Sequence, residues 1–435
     1  MFMSKKNKKE KVKKTPKQKA ARFFKVILII LVIIALIVGI IAIGNKVTVS
    51  SEREFAKNTV QPVAFEEQLK PELDESGYYT FTTDRDFKIM QLTDIHIGSG
   101  LLSAKKDNMA INAVAAMISE EKPDLVIVTG DVAYPVPYQA LSLNNKSGAV
   151  TFASLMERLG VYWCLAFGNH DTEAYSFFSR EDISKIYENK KEYPHCLFQS
   201  GPKDVDGCGN YLIKVKNTKG AITQSLFIFD SHSYTDGDYF GIQWKYDAVH
   251  KNQLEWYKKQ VQALTKENNG VTPKSLAFYH IPPIEENDVF KELKDSDFKD
   301  TENVKYKYGK IGESNEAICS GTKNYGAFEA FCENGTQGVF FGHDHLNNLS
   351  ANYKGVQLTY GYSIDYLAYP GIYKYGLQRG CTVITVKPDG SFDNYGENYY
   401  QDKYQAVNAK ETVELEKEMS EDKENAGGAN PFADN

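Results

Sequence analysis

The chain has 435 residues, 42% of them hydrophobic and 25% charged. This composition excludes collagen-like, wholly disordered and many-spanning membrane classes and allows a sizeable core in one large α/β domain or in two or three smaller ones. Residues 1–25 hold eleven Lys/Arg and one acid, so the net charge of -6 conceals 40 basic against 56 acidic residues, a net of -16, in the remainder, and a body so acidic does not suit duplex nucleic acid as a partner.

Residues 26–44 form the first element, nineteen apolar residues without a charge, against the roughly 20 that a helix needs to cross the hydrocarbon core. A transmembrane helix is predicted there. The basic segment before it, with Lys5, Lys6, Lys8, Lys9 and seven further Lys/Arg ending in Arg22 and Lys25, holds the N-terminus in the cytoplasm by the positive-inside rule, which places the remainder outside the cell membrane. A cleaved signal peptide is the alternative, with Ala42 and Gly44 as small residues, but the run exceeds the usual 7–15 residue apolar segment. Residues 45–80, mixed and polar with Pro62 and Pro71, read as a juxtamembrane spacer.

From residue 87 short apolar runs alternate with helix-length polar segments, the pattern of an α/β protein. Strands are predicted at 87–92, 125–129, 161–167, 226–229, 275–279 and 338–341, with more β signal at 356–360 and 381–386. The organisation expected is a basic tail (1–25), a membrane helix (26–44), a spacer (45–80), a domain (81–404) and a mobile tail (405–435), the last too polar to offset the entropy of ordering. Six cysteines lie after the membrane helix. Cys164 and Cys381 read as buried thiols, while Cys196 with Cys208, and Cys319 with Cys332, are close enough to close small disulfide loops.

Five predicted strands end directly in ligand-type side chains: Asp94-Ile95-His96, Gly130-Asp131, Gly168-Asn169-His170-Asp171, His280 and Gly342-His343-Asp344-His345. In open α/β sheets ligands bind beyond the carboxyl ends of strands, so these groups are expected to meet in one crevice. Asp94, His96, Asp131, Asn169, His280, His343 and His345 make seven O/N donors, too many for one catalytic zinc. Imidazole mixed with carboxylate suits two ions of Zn, Fe or Mn, and a shared Asp131 would hold them about 3.5–4 Å apart. Five of the eight histidines fall in these blocks; His195, His232 and His250 read as surface or loop residues. Asp171 and Asp344 fit either turn formation or the orientation of a ligand. The tyrosines 360, 362, 366, 369, 373 and 375 read as a packed loop, with the lining of a substrate cleft as the alternative.

The order D-x-H, G-D, G-N-H-D, H, G-H-x-H over residues 85–386 resembles the calcineurin-like metallophosphoesterases. Tyr279-His280-Ile281-Pro282-Pro283, Gly209-Asn210-Tyr211 and the block from Gly342 to Asn348 are similar to the purple-acid-phosphatase-like branch. The resemblance implies two mixed β-sheets in a sandwich flanked by helices, with a dinuclear metal centre between the sheet edges. It implies Asp94, His96 and His345 on one metal, Asn169, His280 and His343 on the other, Asp131 bridging, and His170 as general acid. The activity implied is hydrolysis of phosphate esters by metal-bound hydroxide; the alternatives are a nucleotide or cell-envelope phosphodiesterase, and a non-catalytic membrane-anchored receptor. Here Gly130-Asp131 is followed by Val132-Ala133-Tyr134-Pro135, without the phosphate-gripping Arg of the protein phosphatases, so a phosphoprotein substrate is not indicated, and Arg379 has no assigned role.

Overall fold

The structure is a computed structural model that describes residues 15–404 apart from 370, 371, 373–378, 400 and 402. The basic stretch before Thr15, the expected tail from 405, Tyr373 and Tyr375 lie outside the described residues. Along the chain the helices are α1 (Pro16–Thr59), α2 (Ala104–Glu121), α3 (Pro137–Ala140), α4 (Asn145–Leu159), α5 (Arg180–Tyr187), α6 (Lys251–Glu267), α7 (Glu286–Asp295) and α8 (Ala327–Glu333).

Thr15 caps α1 through a bond from the Gln18 N–H, and Pro16 starts it without wasting a donor. Its apolar part is unburied and has a mean hydropathy of 3.8, enough to cross a membrane, a test that a signal sequence also passes. The helix then continues without a break through the stretch read as the start of a spacer. Thr48, Glu52 and Ala56, four residues apart, are buried against the body. That spacing is one helical face, hidden in the sequence because two of its three members are polar.

Glu52 faces Asp107 of α2 and accepts from Ser99 Oγ at 3.1 Å. Burial, and then the Asp107 charge, push its carboxyl far up. The folded protein therefore keeps a proton that the unfolded chain loses near pH 4.5, and this contribution is present at acid pH and lost as the pH rises above that value. Glu52→Gln keeps the shape without the titration. It should raise thermal stability by more than about 1 kcal/mol at pH 8 and hardly at all at pH 5; an equal gain at both pH values in thermal unfolding of the detergent-solubilised chain would refute this.

The strands are β1 (Glu72–Leu73), β2 (Tyr79–Thr82), β3 (Phe87–Leu92), β4 (Leu125–Thr129), β5 (Trp163–Ala166), β6 (Tyr211–Lys216), β7 (Ile222–Ile228), β8 (Lys274–Phe278), β9 (Val304–Tyr308), β10 (Thr336–Phe341), β11 (Ser350–Tyr353), β12 (Val356–Tyr360), β13 (Gly380–Val386) and β14 (Phe392–Asn398). They form a nine-stranded sheet, β1-β2-β6-β7-β8-β10-β12-β11-β9, and a five-stranded sheet, β14-β13-β3-β4-β5. Both are mixed: β3, β4 and β5 run parallel, while β13 joins β3 antiparallel. Two mixed sheets with flanking helices are what the resemblance implies.

Side-chain alternation builds two cores. Leu226, Ile228, Leu276, Phe278 and Phe340 point between the sheets to meet Ile89, Val126 and Leu165, whereas Phe227, Ala277 and Val339 point outward to Trp256, Tyr257 and Phe331. Strands buried on both faces read as largely apolar runs, and the predicted strands are mostly of this kind, although β3 carries Lys88 and Gln91 and β12 alternates as Val-Gln-Leu-Thr-Tyr. Six strands were not predicted: β1, β2, β6, β9, β11 and β14. Most alternate apolar with polar residues, as Val-Lys-Tyr-Lys-Tyr does in β9.

All six cysteines are free, contrary to the disulfide loops expected. Cys196 is buried in the core and Cys208 packs 2.9 Å from Ser184 Oγ, so both are committed to packing.

Candidate metal centre

The centre lies at the seam of the two sheets. Asp94, His96, Asp131 and Asn169 follow β3, β4 and β5 of the smaller sheet, and His280, His343 and His345 follow β8 and β10 of the larger. Two bonds stitch the seam: Gln91 Nε2 donates to Phe341 O at 3.0 Å, and His280 Nδ1 donates to Thr129 O at 2.7 Å. The backbone here is strained. Asp94, His96, Asp131 and His343 have φ of 51°, 56°, 55° and 79°, a left-handed region that side chains enter only when their surroundings hold them there. Gly130 and Gly168 make room for the crowding: a Cβ at Gly130 would lie 2.4 Å from His280 Nδ1, and one at Gly168 would lie 2.1 Å from Asp131 Oδ1.

All seven predicted donors are brought together and buried. The ligand atoms of Asp94, His96, Asp131 and His345 lie within 4.8 Å of one another, a set able to hold a metal ion. Asp131 Oδ2 is 3.3 Å from His96 Nε2 and 3.2 Å from His280 Nε2. On the His280 side, Asn169 Oδ1 lies 3.1 Å and His343 Nδ1 3.3 Å from that same Nε2. Asp131 thus stands between two groups of donors.

Three imidazoles have their outer nitrogen occupied. Nδ1 of His96 and Nδ1 of His345 each lie 3.0 Å from the Asp365 carboxylate, and Nδ1 of His280 is taken by Thr129 O. The Asp365 carboxylate beside Nδ1 of His96 and His345, and the hydrogen bond from Nδ1 of His280, leave Nε2 of each ring facing inward, the arrangement a metal requires. Asp94 Oδ1 and His343 Nε2 are buried without a hydrogen-bond partner, so the donor set has unused lone pairs where a cation would sit.

Electrostatics agree with this fit. Burial alone would push His96 down, but Asp365 and Asp131 outweigh it and hold the imidazole up at about 10; Asp131 likewise holds His280 up at about 9. Burial would raise Asp131, yet His280 and His170 keep it well below the usual carboxylate range. A centre with this appetite for positive charge exchanges protons for metal ions.

His170 stands at the mouth, its side chain 25% exposed, with Nδ1 2.7 Å from Glu173 Oε1. Its backbone N–H donates to Asp131 Oδ1 at 2.8 Å. Asp171 is a clamp: its carboxylate accepts from the N–H groups of Gly168, Asp131 and Ala133. Asp344 accepts from Tyr360 Oη at 2.6 Å and from Cys319 N. Arg379 is buried behind Asp365, donating to its carbonyl and stacking on Tyr366 at 3.7 Å, so it supports the loop.

Sequence reasoning missed Asp365 and Glu173. Asp365 lies five residues beyond β12, a predicted strand, so a sixth strand end was the available signal. Of a collar of tyrosines it offered only Tyr369, as the alternative lining of a cleft, and missed Tyr134 and Tyr246. Tyr134 packs on His96 at 4.5 Å, Tyr246 on His343 at 4.2 Å and Tyr369 on His345 at 4.6 Å. A separate group, His232, Asp247 and His250, is also close enough to hold an ion, but its members are paired with one another, with Asp206 and with Gln253.

The calcineurin-like phosphoesterase family profile matches residues 87–347. A relative named probable inactive purple acid phosphatase 14, from Arabidopsis thaliana, is 32% identical over 318 residues, which cover 66% of this chain and 73% of that one. Probable inactive purple acid phosphatase 29 of the same plant is 28% identical over 332 residues, covering 70% and 78%. Among solved structures, a dimetal phosphatase from Danio rerio aligns with a TM-score of 0.44 at 10% identity, over 73% of this chain and 97% of its own.

Proposed function

Because the chain belongs to the calcineurin-like phosphoesterase family, we propose that it is an active, dinuclear-metal phosphoester hydrolase. The observation that carries the reading is Asp131 Oδ2, about equally far from His96 Nε2 and His280 Nε2. Asp94, His96, Asp131 and His345 would hold one ion, and Asn169, His280 and His343 a second beside the same Asp131. When bound there, two such ions of Mn, Fe or Zn would supply Lewis acidity, lowering the pKa of water and offsetting charge on the phosphoryl oxygens.

The protein's own part is to orient and to move a proton. Asp365 holds two imidazoles in register. The tyrosine collar limits water around the donors. Glu173 on Nδ1 of His170 leaves Nε2 as the nitrogen that delivers a proton to the departing oxygen.

Relatives named inactive make the non-catalytic receptor the reading to test against. What speaks for catalysis is the full donor set with the His170–Glu173 pair at its mouth. The purified full chain, loaded in turn with Mn, Fe or Zn, should hydrolyse at least one among phosphomonoesters, phosphodiesters and nucleotides. Stoichiometric metal without turnover on any of them would favour the receptor.

We further propose that α1 is a retained anchor with its N-terminus in the cytoplasm and the domain outside. The nineteen-residue apolar run, longer than the usual 7–15 of a signal peptide, supports retention, and the burial of Thr48, Glu52 and Ala56 docks the helix that continues it. With α1 docked to Thr59, the catalytic unit is the domain 81–404 together with this half-helix.

A further inference from the structure

The packing of α1 fixes which way the site looks. Near its membrane end, Asn45 Nδ2 donates to Leu141 O at 2.7 Å, and Leu101 N donates to Asn45 Oδ1 at 2.8 Å. Near its far end, Arg158 Nε donates to Val60 O and Val63 N to Leu159 O. Leu141 precedes α4 and Leu159 closes it, so α1 and α4 run side by side in the same direction. The first residue of α4, Asn145, donates to the carbonyls of Asp171 and Phe178, and Asp171 clamps the Asp131 and Gly168 backbone. The carboxyl ends of the strands, and the site with them, therefore face the end of α1 that leaves the apolar run.

The rim at this end is apolar and aromatic. Leu101 is 46%, Leu102 57%, Tyr138 78% and Phe177 66% exposed. A cavity of about 460 Å³ lies between α1 and the rim, lined by Val38, Ile41 and Asn45 on one side and by Leu141, Leu143 and Phe177 on the other. Val38 and Ile41 belong to the apolar run, so the rim reaches back beside its last turns. Exposed Lys46 and Lys146 sit in the same zone. Apolar and aromatic side chains ringed by lysine are what a membrane interface accepts.

We propose that the substrate is a phosphate ester carried on a membrane lipid, received from the leaflet against which Leu101, Leu102, Tyr138 and Phe177 are seated. The proposal rests on the hydrolase reading above and names its substrate class. The distances allow it. Five residues separate His96 from Leu101, a span of at most about 18 Å, and the headgroup layer adds about 5–7 Å of polar depth on each side of the hydrocarbon. A lipid phosphate therefore has at most about 11–13 Å to rise above that layer to meet the donors, which the upper part of its tail must follow while the rest stays in the bilayer.

The test uses the full metal-loaded chain in phosphatidylcholine nanodiscs doped with phosphatidate or phosphatidylglycerol, with 4-nitrophenyl phosphate and its bis ester as soluble comparators. The wild type should hydrolyse a lipid ester. Leu102→Asp with Phe177→Asp, which touch none of the donors, should lose lipid-ester turnover by at least about tenfold while holding soluble-ester turnover within about twofold. The retained soluble activity also shows that the variant folds. Turnover of a soluble ester but of neither lipid ester, or equal effects on both, overturns the proposal and leaves the hydrolase reading standing. Failure on every ester sinks both. Phe177→Trp gives an independent readout: its fluorescence should be quenched by brominated lipid, and an unquenched indole means that the rim faces water or a protein partner and overturns the proposal.

Discussion

His170→Ala is expected to keep the metal content of the wild type while losing about 10²- to 10⁴-fold in rate on alkyl phosphates. The imidazole is not one of the donors: its polar contact is Glu173 at Nδ1, its ring lies edge-on to His96 at 5.6 Å and to Tyr134 at 4.8 Å, and its backbone N–H reaches Asp131 Oδ1. Removing the ring therefore leaves the donors in place and takes away the proton. The loss should depend on the leaving group, because a nitrophenolate departs without protonation and an alkoxide does not. Aryl esters should suffer far less. Glu173→Gln should copy the pattern in weaker form, since it loosens the ring without removing it. Equal losses on aryl and alkyl esters, or a fall in metal content measured by elemental analysis, would show that His170 positions the substrate or an ion instead.

Asp131→Asn should be the most damaging single change in the donor set. One carboxylate oxygen lies against both His96 and His280, and the other accepts the His170 N–H. Replacing a charged oxygen by an amide removes the negative charge shared by both halves and sets an N–H₂ against inward-facing imidazoles. Metal content should fall at both positions, with affinity down by more than about 10²-fold, beyond what loss of an orienting group costs. His96→Ala should lower only one of the two. If the two variants lose the same single equivalent, Asp131 does not bridge.

Much of this arrangement was legible because the strands at the seam are buried on both faces. Their largely apolar runs marked where each strand stops, and the next residue was the functional one: Asp94 two residues after Leu92, Asp131 two after Thr129, His280 two after Phe278. What could not be read obeys other rules. Asp365 does its work from behind two histidines, at the end of a loop whose Gly/Tyr-rich sequence carries no period. The docked half of α1 was hidden because its buried face includes Glu52, an acid that only its pairing with Asp107 explains. Strands β9 and β14 are edge strands whose exposed polar residues dilute the apolar signal, and β11 beside β9 is too short and carries Ser350 and Asn352 among its four residues. The disulfide expectation failed for a related reason, since sequence proximity says nothing of the separate packing that Cys196 and Cys208 have found.

The order of strands in the smaller sheet has a consequence for synthesis. Strand β3, from which Asp94 and His96 project, is flanked by β4, which follows it closely, and by β13, whose Thr382 pairs with Gln91. About 290 residues separate these partners, and at roughly 5–20 residues per second they leave the ribosome some 15–60 s apart. Throughout that interval one edge of β3 has no neighbour, and an open apolar edge invites pairing with other chains. The larger sheet is nearly complete before β13 exists. The last strands to be made thus close the smaller sheet, and a nascent chain interrupted before residue 380 would carry all seven donors of the centre while β3, which leads into Asp94 and His96, is still unprotected along one edge.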